Sequence, residues 1–263
     1  RHAAPRAGLR PGSWSGLLKM PDLQRLVAAY LLSSAANALP ASLFLFYVSQ
    51  VLEAGPSTGL FLAVYFITGV AALPAWVALS RRFGKTRTWM VSMLLACAAF
   101  VWAPWLQAGD QTAFLIICLV TGIALGADMA LPASLQADLV DADAALAGRR
   151  RAGLLFGLWG LATKLAAAIG IGLAFLALAL AGFEPAGDND ATTLHWLALL
   201  YGLAPVLLKL AAIALIRNFT ETADASQSVT AAVAGTQENA HVDTSPDACR
   251  TAGLARGLHH DAS

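Results

Sequence analysis

Two ionisable residues, Asp128 and Lys164, each lie deep inside a long apolar stretch of the sequence. The stretches cover residues 112–136 and 152–182, and an acidic segment that ends in three consecutive arginines joins them. A charge in the middle of a membrane span is costly, and such residues usually line the path of a substrate or an ion. The two residues therefore predict a transport function.

Depth separates Lys164 from the second lysine of the apolar stretches, Lys209. Lys164 lies 13 residues past Arg151, roughly 20 Å along a helix, so its side chain cannot comfortably reach the membrane surface. Small residues share its helical face, namely Gly153, Gly157, Gly160 and Ala168. We predict that Lys164 faces protein or water along the solute pathway; the alternative is a lysine paired to stabilise helix packing. Lys209 lies 8 residues before Arg217, roughly 12 Å, and is predicted to snorkel and to be structural.

Asp128 lies 10 residues before Asp138, roughly 15 Å from the end of its span. Its depth is therefore similar to that of Lys164 on the next, antiparallel span. Pro132 cannot donate a hydrogen bond to the Asp128 carbonyl and its ring crowds that group, so we expect a broken helix of the kind found at transporter binding sites. We predict that Asp128 is a pathway residue or the partner of Lys164. The alternative is a local cap for the kink.

The first span carries Tyr30, Ser34 and Asn37 on one helical face, and a proline follows them. This polar face is predicted either to line the substrate cavity or to form hydrogen bonds to another helix.

The acidic segment carries candidate gate residues. Asp138 and Asp141 face Arg149 and Arg150 across a short connection. Their ion pairs are predicted to form a cytoplasmic gate that opens during transport. The alternative is a solvated run of charges that only sets topology, because exposed ion pairs contribute about 0–1 kcal/mol each.

The composition indicates a membrane protein. Of 263 residues, 58% are hydrophobic and 13% are charged, and the mean hydropathy is +0.64, whereas soluble domains have roughly 45–50% apolar residues. The three cysteines share no metal or redox spacing and are predicted to be free thiols. The sequence contains no phosphate-binding loop, nucleophile elbow or metal-ligand cluster. We therefore expect no enzyme activity, no catalytic residue, no metal site and no bound cofactor.

Six apolar runs are long enough to cross the membrane as helices, which takes about 20 residues each. The predicted spans are 23–51, 59–79, 88–106, 112–136, 152–182 and 194–216. Run length and the lack of period-2 alternation predict an all-α membrane protein. Residues 1–22 are predicted to be a cytoplasmic segment, 23–217 the six-helix bundle and 218–263 a disordered cytoplasmic tail. The third and sixth spans are expected on the outside of the bundle, because the third has no charge and the sixth only a lysine near its end.

Lysine and arginine occur in the N-terminal segment and in alternate connections, at 81–87 and 149–151. By the positive-inside rule both termini are predicted to be cytoplasmic. Tryptophans near the span ends are predicted to be interfacial anchors: these are Trp14, Trp89, Trp102, Trp105 and Trp196.

Three segments resemble one transporter family. The sequence ADLVDADAALAGRRRAGLLFGLWGLATKLAAA, at 137–168, resembles the tenth-to-eleventh helix region of the glycoside–pentoside–hexuronide:cation symporters, the melibiose-carrier group of the major facilitator superfamily. NALPASLFLFYVSQVL, at 37–52, resembles that family's seventh helix, and LSRRFGKTRTW, at 79–89, its eighth-to-ninth loop. The resemblance covers roughly residues 20–219.

The resemblance implies that the chain is the C-terminal six-helix half of a twelve-helix secondary active transporter, one that couples cation symport to uptake of a sugar, a glycoside or a related solute. It places Lys164 in the polar network of the sugar site, and Met129 where the melibiose carrier has a sugar-contacting tryptophan. The carboxylates that bind the coupling cation, Na⁺ or H⁺, would lie in the N-terminal half.

The expected partners are a small sugar-like solute, the lipid bilayer, and either the N-terminal six-helix half or a second copy of the chain; no nucleic acid is expected. The expected location is a bacterial inner membrane. Two alternatives remain open: a truncated membrane fragment that does not transport, and a half-size carrier that acts as a homodimer. The absence of an initiator methionine favours truncation over a natural half-carrier.

Overall fold

A computed structural model describes residues 21–147, 152–185 and 187–217. These residues form six long helices: α1 Pro21–Phe46, α2 Thr58–Phe83, α3 Lys85–Phe100, α4 Gln111–Ala147, α5 Ala152–Leu180 and α6 Ala191–Ile216. All six are long and apolar enough to cross a membrane, so the predicted fold class, an all-α membrane protein with six spans, is confirmed. Apart from the first residues of α1, the segments predicted at 1–22 and 218–263 lie outside the described residues.

The first span ends where predicted, because a π-helical turn, Tyr47–Val51, continues α1. The fourth helix differs from its predicted extent. The fourth helix runs to Ala147, well past its predicted end at Gln136, so most of the acidic segment is helix and not a loop. The predicted break at Pro132 is also wrong, because α4 passes through this proline without interruption.

Glycines allow α2 and α4 to pack closely. A methyl group added to Gly126 would lie 2.6 Å from the carbonyl oxygen of Gly69, and one added to Gly122 would collide with Thr68 and with the backbone of Tyr65. Small residues of this kind let helix backbones approach each other in a membrane. The close packing places the buried face of α4 at the centre of the bundle.

The helices pack in two groups of three. The first group is α1, α5 and α6, and the second is α2, α3 and α4; the contact between α3 and α6 joins the two groups. The third span is more extensively buried than any other described span. The expectation that it lies on the outside of the bundle is therefore wrong. Between α1 of the first group and α4 of the second lies a groove, which contains the candidate site.

Candidate functional site at the Asp128 carboxylate

The Asp128 carboxylate accepts hydrogen bonds from three other helices. Its Oδ1 accepts from Trp89 Nε1 of α3 at 2.8 Å. Its Oδ2 accepts from Asn37 Nδ2 of α1 at 3.0 Å and from Lys209 Nζ of α6 at 2.8 Å. The Lys209 side chain is 1% exposed and that of Asp128 9%. We call these four residues the carboxylate junction.

The carboxylate junction ties the two helix groups together. Asp128 and Trp89 belong to the second group, whereas Asn37 and Lys209 belong to the first. A buried carboxylate is tolerated when a cation and further donors compensate it, because an isolated buried charge costs several kcal/mol. Lys209 supplies the cation, while the two uncharged donors, the amide and the indole, bind the remaining acceptor positions. The junction is therefore electrically neutral and well satisfied within the described residues.

The structure corrects two interpretations of the sequence. Lys209, predicted to snorkel, is buried and paired with Asp128. Trp89, predicted to be an interfacial anchor, is fully buried and donates to the same carboxylate. The partnership predicted between Asp128 and Lys164 is also not observed, because Lys209 takes that place. Asp128 itself is not a local cap for a kink, since it bonds to three helices other than its own.

A helical repeat on α6 could have identified Lys209. The buried residues of α6 recur at spacings of three and four along one face: they include Thr193, Leu197, Tyr201, Pro205, Lys209, Ala212 and Ile216. A lysine in the middle of such a stripe faces the protein interior and not lipid. Trp89 lies on a similar stripe of buried residues on α3, with Ser92, Met93, Ala96 and Phe100, so the same helical repeat could have placed its side chain toward the interior.

Lys164 lies on an open face of α5. Its side chain is exposed, and no hydrogen bond or ion pair joins it to another residue that the structure describes. The glycines predicted to share its face are open as well, since a methyl group added to Gly153, Gly157 or Gly160 would meet no atom within 4 Å. No described residue supplies the partner that the alternative, a lysine paired to stabilise helix packing, requires. The structure leaves its role in a solute pathway as a prediction.

Two cavities flank the carboxylate junction along the groove. One, of about 200 Å³, is lined by Asn37, Phe44, Tyr65, Phe66, Phe100, Cys118, Thr121, Leu125, Asp128, Tyr201 and Lys209, among others. We call it the aromatic cavity. The other, of about 130 Å³, is lined by Tyr30, Ser33, Ser34, Asn37, Trp89, Leu125, Asp128, Met129 and Pro132. We call it the polar cavity. Both cavities reach the hydrogen bond between Asn37 and Asp128, so this bond divides the groove into two compartments.

Tyr30 connects the polar cavity to α5. Its ring stacks on Trp159 with centroids 4.2 Å apart, and its hydroxyl lies 3.2 Å from Thr163 Oγ1. Thr163 donates its own proton to the Trp159 carbonyl, so Tyr30 is the donor in the shared bond. The predicted hydrogen bonds of Tyr30 and Asn37 to other helices are thus present. Both residues also line a cavity, and that this cavity holds the substrate stays a prediction. Lys164 follows Thr163 in the sequence but lines neither cavity.

The candidate gate is described only in part. Asp138 pairs with Lys85 at 2.6 Å, and both side chains are partly exposed, at 40% and 31%. Lys85 begins α3, so this pair joins α3 to α4 at the same end of the bundle. Asp141 lies on α4, but its side chain is outside the described part, as are Arg149 and Arg150. Their predicted pairing stays a prediction.

Comparisons with known proteins support a transport role for this arrangement. The family model of MFS/sugar transport proteins matches residues 6–220. A glucuronide carrier protein homolog of Escherichia coli (strain K12) is 29% identical over 140 residues, which cover 53% of this chain and 31% of the relative. A sodium-dependent lysophosphatidylcholine symporter 1-A of Danio rerio is 26% identical over 189 residues, or 70% of this chain and 35% of the relative. The chain thus spans about a third of the length of these curated relatives.

Proposed function

Because the chain belongs to the MFS/sugar transport protein family, whose members are membrane transporters and not enzymes, we propose that it is the C-terminal half of a secondary active transporter. The transporter carries a sugar, a glycoside or a related solute by cation-coupled symport. The similarity to a glucuronide carrier supports a sugar-like solute, and the similarity to a sodium-dependent lysophosphatidylcholine symporter supports cation coupling. The assignment to the C-terminal half rests on the resemblance of residues 37–52, 79–89 and 137–168 to the seventh to eleventh helices of the melibiose-carrier group.

The observation that carries this proposal is the exposed ammonium of Lys164 on a membrane-spanning helix. A lysine at the centre of a lipid-facing helix costs about 2.5–3.5 kcal/mol, and no described residue compensates it. Exposure toward water or another protein segment removes this cost. The open glycine face around Lys164 leaves room for either one. We therefore propose that this face meets the N-terminal six-helix half and lines the solute pathway between the two halves.

The polar cavity is the part of this half that we assign to the solute pathway. Tyr30, Asn37 and Asp128 line it and can offer hydrogen bonds to the hydroxyls of a solute. Met129, which takes the place of the sugar-contacting tryptophan of the melibiose carrier, lines the same cavity and is exposed. An apolar face of the solute would thus contact Met129, and hydroxyls at the edge of the solute would bond to Tyr30, Asn37 and Asp128.

The coupling cation, Na⁺ or H⁺, is assigned to the N-terminal half. Asp128 is the carboxylate of the described spans that lies deepest, and it is already bonded to an ammonium, an amide and an indole. Within the described residues, no cluster of three or more His, Cys, Asp or Glu side chains is placed to hold a metal ion. Both features support a cation site elsewhere in the complete transporter.

The proposed setting is a bacterial inner membrane with both termini in the cytoplasm. In this orientation the pair between Lys85 and Asp138 lies at the cytoplasmic end of the bundle. It would form part of the cytoplasmic gate, together with Asp141, Arg149 and Arg150. The ion pair joins α3 and α4 of the second helix group, so breaking it would free that end of the group to move.

Reconstitution tests the proposal. Proteoliposomes that contain residues 1–263 alone are compared with proteoliposomes that also contain the N-terminal six-helix half. Uptake of a radiolabelled β-glucuronide and a β-glucoside is measured under an imposed Na⁺ gradient, a proton gradient and no gradient. We expect gradient-driven accumulation only when both halves are present. Lys164→Ala should lower it at least tenfold, whereas Arg82→Ala, which removes an exposed cation near the end of α2, should leave it within twofold.

The other outcomes distinguish the two alternatives. Gradient-driven accumulation by residues 1–263 alone would establish a half-size carrier acting as a homodimer. No accumulation in any combination, with both halves folded and associated, would mean a fragment that does not transport. Equal losses of accumulation for Lys164→Ala and Arg82→Ala would show that Lys164 is not part of the solute pathway.

A further inference from the structure

The aromatic cavity contains a tyrosine hydroxyl that has no partner among the described residues. Tyr201 is 4% exposed and lines the cavity, and no hydrogen bond joins its hydroxyl to another residue that the structure describes. Its neighbour Tyr47 provides the contrast. The two rings stack with centroids 4.2 Å apart, but the Tyr47 hydroxyl donates to the Ala103 carbonyl at 2.6 Å. Tyrosine hydroxyls in largely apolar surroundings usually have a hydrogen-bond partner. The Tyr201 hydroxyl is open to the cavity, so a ligand there can bind it.

A second hydroxyl lines the same space, and several other polar groups of the wall are already bonded. Tyr65 lines the cavity and its hydroxyl likewise bonds to no described residue. In contrast, the Thr121 hydroxyl donates to the backbone of its own helix, while Asn37 and Lys209 donate to Asp128. The aromatic cavity therefore offers the ligand two phenolic hydroxyls, whereas Asn37, Lys209 and Asp128 are bonded to one another.

Size and charge restrict the ligand further. The cavity measures about 200 Å³, and a dry apolar cavity of about 150 Å³ is large enough to bind benzene. One substituted six-membered ring therefore fits. The charge of Asp128 is compensated by Lys209, so the wall has no net charge and favours a neutral ligand. The remaining wall is mainly apolar and includes the rings of Phe44, Phe66 and Phe100.

We propose that the aromatic cavity binds a neutral aromatic ring that carries one or two hydroxyl groups, a phenol-type ligand. Its flat faces contact the aromatic wall and its hydroxyl bonds to Tyr201 or Tyr65. A sugar ring carries several hydroxyls on all its edges, and most of them would lie against phenyl rings without a partner. Each unpaired hydroxyl lowers affinity roughly 5- to 150-fold, so the mainly aromatic wall favours a phenol over a sugar. The site goes beyond the transport proposal, since its occupancy does not depend on transport.

Saturation binding of tritiated p-cresol to residues 1–263 in lipid nanodiscs tests this site. Empty nanodiscs give the amount dissolved in lipid, which is subtracted. We expect saturable binding of one p-cresol per chain. Toluene, which lacks only the hydroxyl, should compete at concentrations in the lipid phase roughly 3- to 10-fold higher, the value of one hydrogen bond. Methyl β-glucoside should not compete.

A matched pair of variants isolates the hydroxyl of Tyr201. Tyr201→Phe keeps the ring stacked on Tyr47 and removes only the oxygen, so we expect p-cresol affinity to fall roughly 3- to 10-fold. Tyr47→Phe is the same chemical change on the stacked partner, whose hydroxyl faces away from the cavity, and affinity should stay within twofold per folded chain. Tyr65→Phe gives a second, independent test of the hydroxyl edge, again with an expected loss of affinity.

Three results would overturn the proposal: no saturable binding to the folded wild-type chain, equal effects of Tyr201→Phe and Tyr47→Phe, or competition by methyl β-glucoside as strong as that by unlabelled p-cresol. The last result would identify a sugar site. Failure of transport in proteoliposomes would leave the binding result unchanged, so the two proposals are tested separately.

Discussion

Removing one charge of the carboxylate junction should destabilise the bundle far more than removing both. In Lys209→Met, the Asp128 carboxylate stays buried, at 9% exposure, with only two uncharged donors. Breaking a buried ion pair in this way costs about 3–5 kcal/mol. For a protein of this size each kcal/mol lowers the melting temperature by about 2–4 °C, so we expect a drop of about 6–20 °C. Asp128→Asn leaves the Lys209 ammonium unpaired at 1% exposure and should cost as much.

The double variant Asp128→Asn/Lys209→Met removes both charges and should recover most of the loss, because neutral replacement of a buried ion pair is often nearly neutral for stability. The assay is SDS-induced unfolding in bicelles, followed by far-UV circular dichroism. Lys164→Met is the control, since an exposed ammonium without a described partner should change stability by less than about 1 kcal/mol.

The coupling energy between Asp128 and Lys209 is the difference between the sum of the two single losses and the loss in the double variant. We expect at least about 3 kcal/mol of coupling between Asp128 and Lys209. Ordinary hydrogen bonds between membrane helices give only about 0.6 kcal/mol in such cycles. A coupling energy of that lower size would mean that water or lipid reaches the pair and compensates each charge alone, and the junction would then not be a buried tie between the helix groups.

Three further outcomes follow from local geometry. Gly122→Ala should destabilise the bundle by about 1–3 kcal/mol because its methyl group collides with α2, whereas Gly157→Ala, on an open helix face, should be neutral or slightly stabilising in the same SDS titration. Lys85→Ala removes a partly exposed ion pair and should change stability by less than about 1 kcal/mol, which thermal unfolding checks. Asp190 caps α6 by accepting from the Thr193 N–H at 2.9 Å. Hydrogen bonding by the Thr193 side chain, and then by this N–H, lowers the pKa of Asp190. Its stabilising effect should be complete above the unfolded pKa near 3.8 and vanish as pH falls through the lower folded value. Hydrogen exchange at the Thr193 amide should then lose its pH-dependent protection in Asp190→Asn.

The positions of the helices could be predicted because run length and hydropathy set them. The end of α4 could not, since the acidic residues after Gln136 read equally well as helix surface and as loop. Depth counting placed Asp128 and Lys164 together, yet Lys209 lies 8 residues from its end of the membrane and Asp128 lies 10. The depths of Lys209 and Asp128 are therefore closer to each other than to the depth of Lys164, which lies 13 residues past Arg151.

The identity of the charge partners depends on which way each helix faces, and depth does not supply that angle. For α6, the repeat of buried residues that includes Tyr201 and Lys209 shows which side of the helix faces the protein interior. Lys164 faces an open side of α5, and a stripe of glycines around it was consistent with both a packed and an open face. The unpartnered hydroxyl of Tyr201 depends on contacts among four helices, so sequence periodicity alone could not identify it.

The two helix groups are not consecutive in the chain, and this affects the order in which the bundle assembles during synthesis. The second group, α2 to α4, is contiguous and can pack as soon as α4 has entered the membrane. The first helix packs mainly against α5 and α6, which are made last. Until then α1 has to stay in the bilayer without its final neighbours, and Asp128 has to enter the membrane before Lys209 is available. The newly made chain thus passes through a stage in which a buried acid lacks its cation, and a membrane chaperone or insertase has most to protect at that stage.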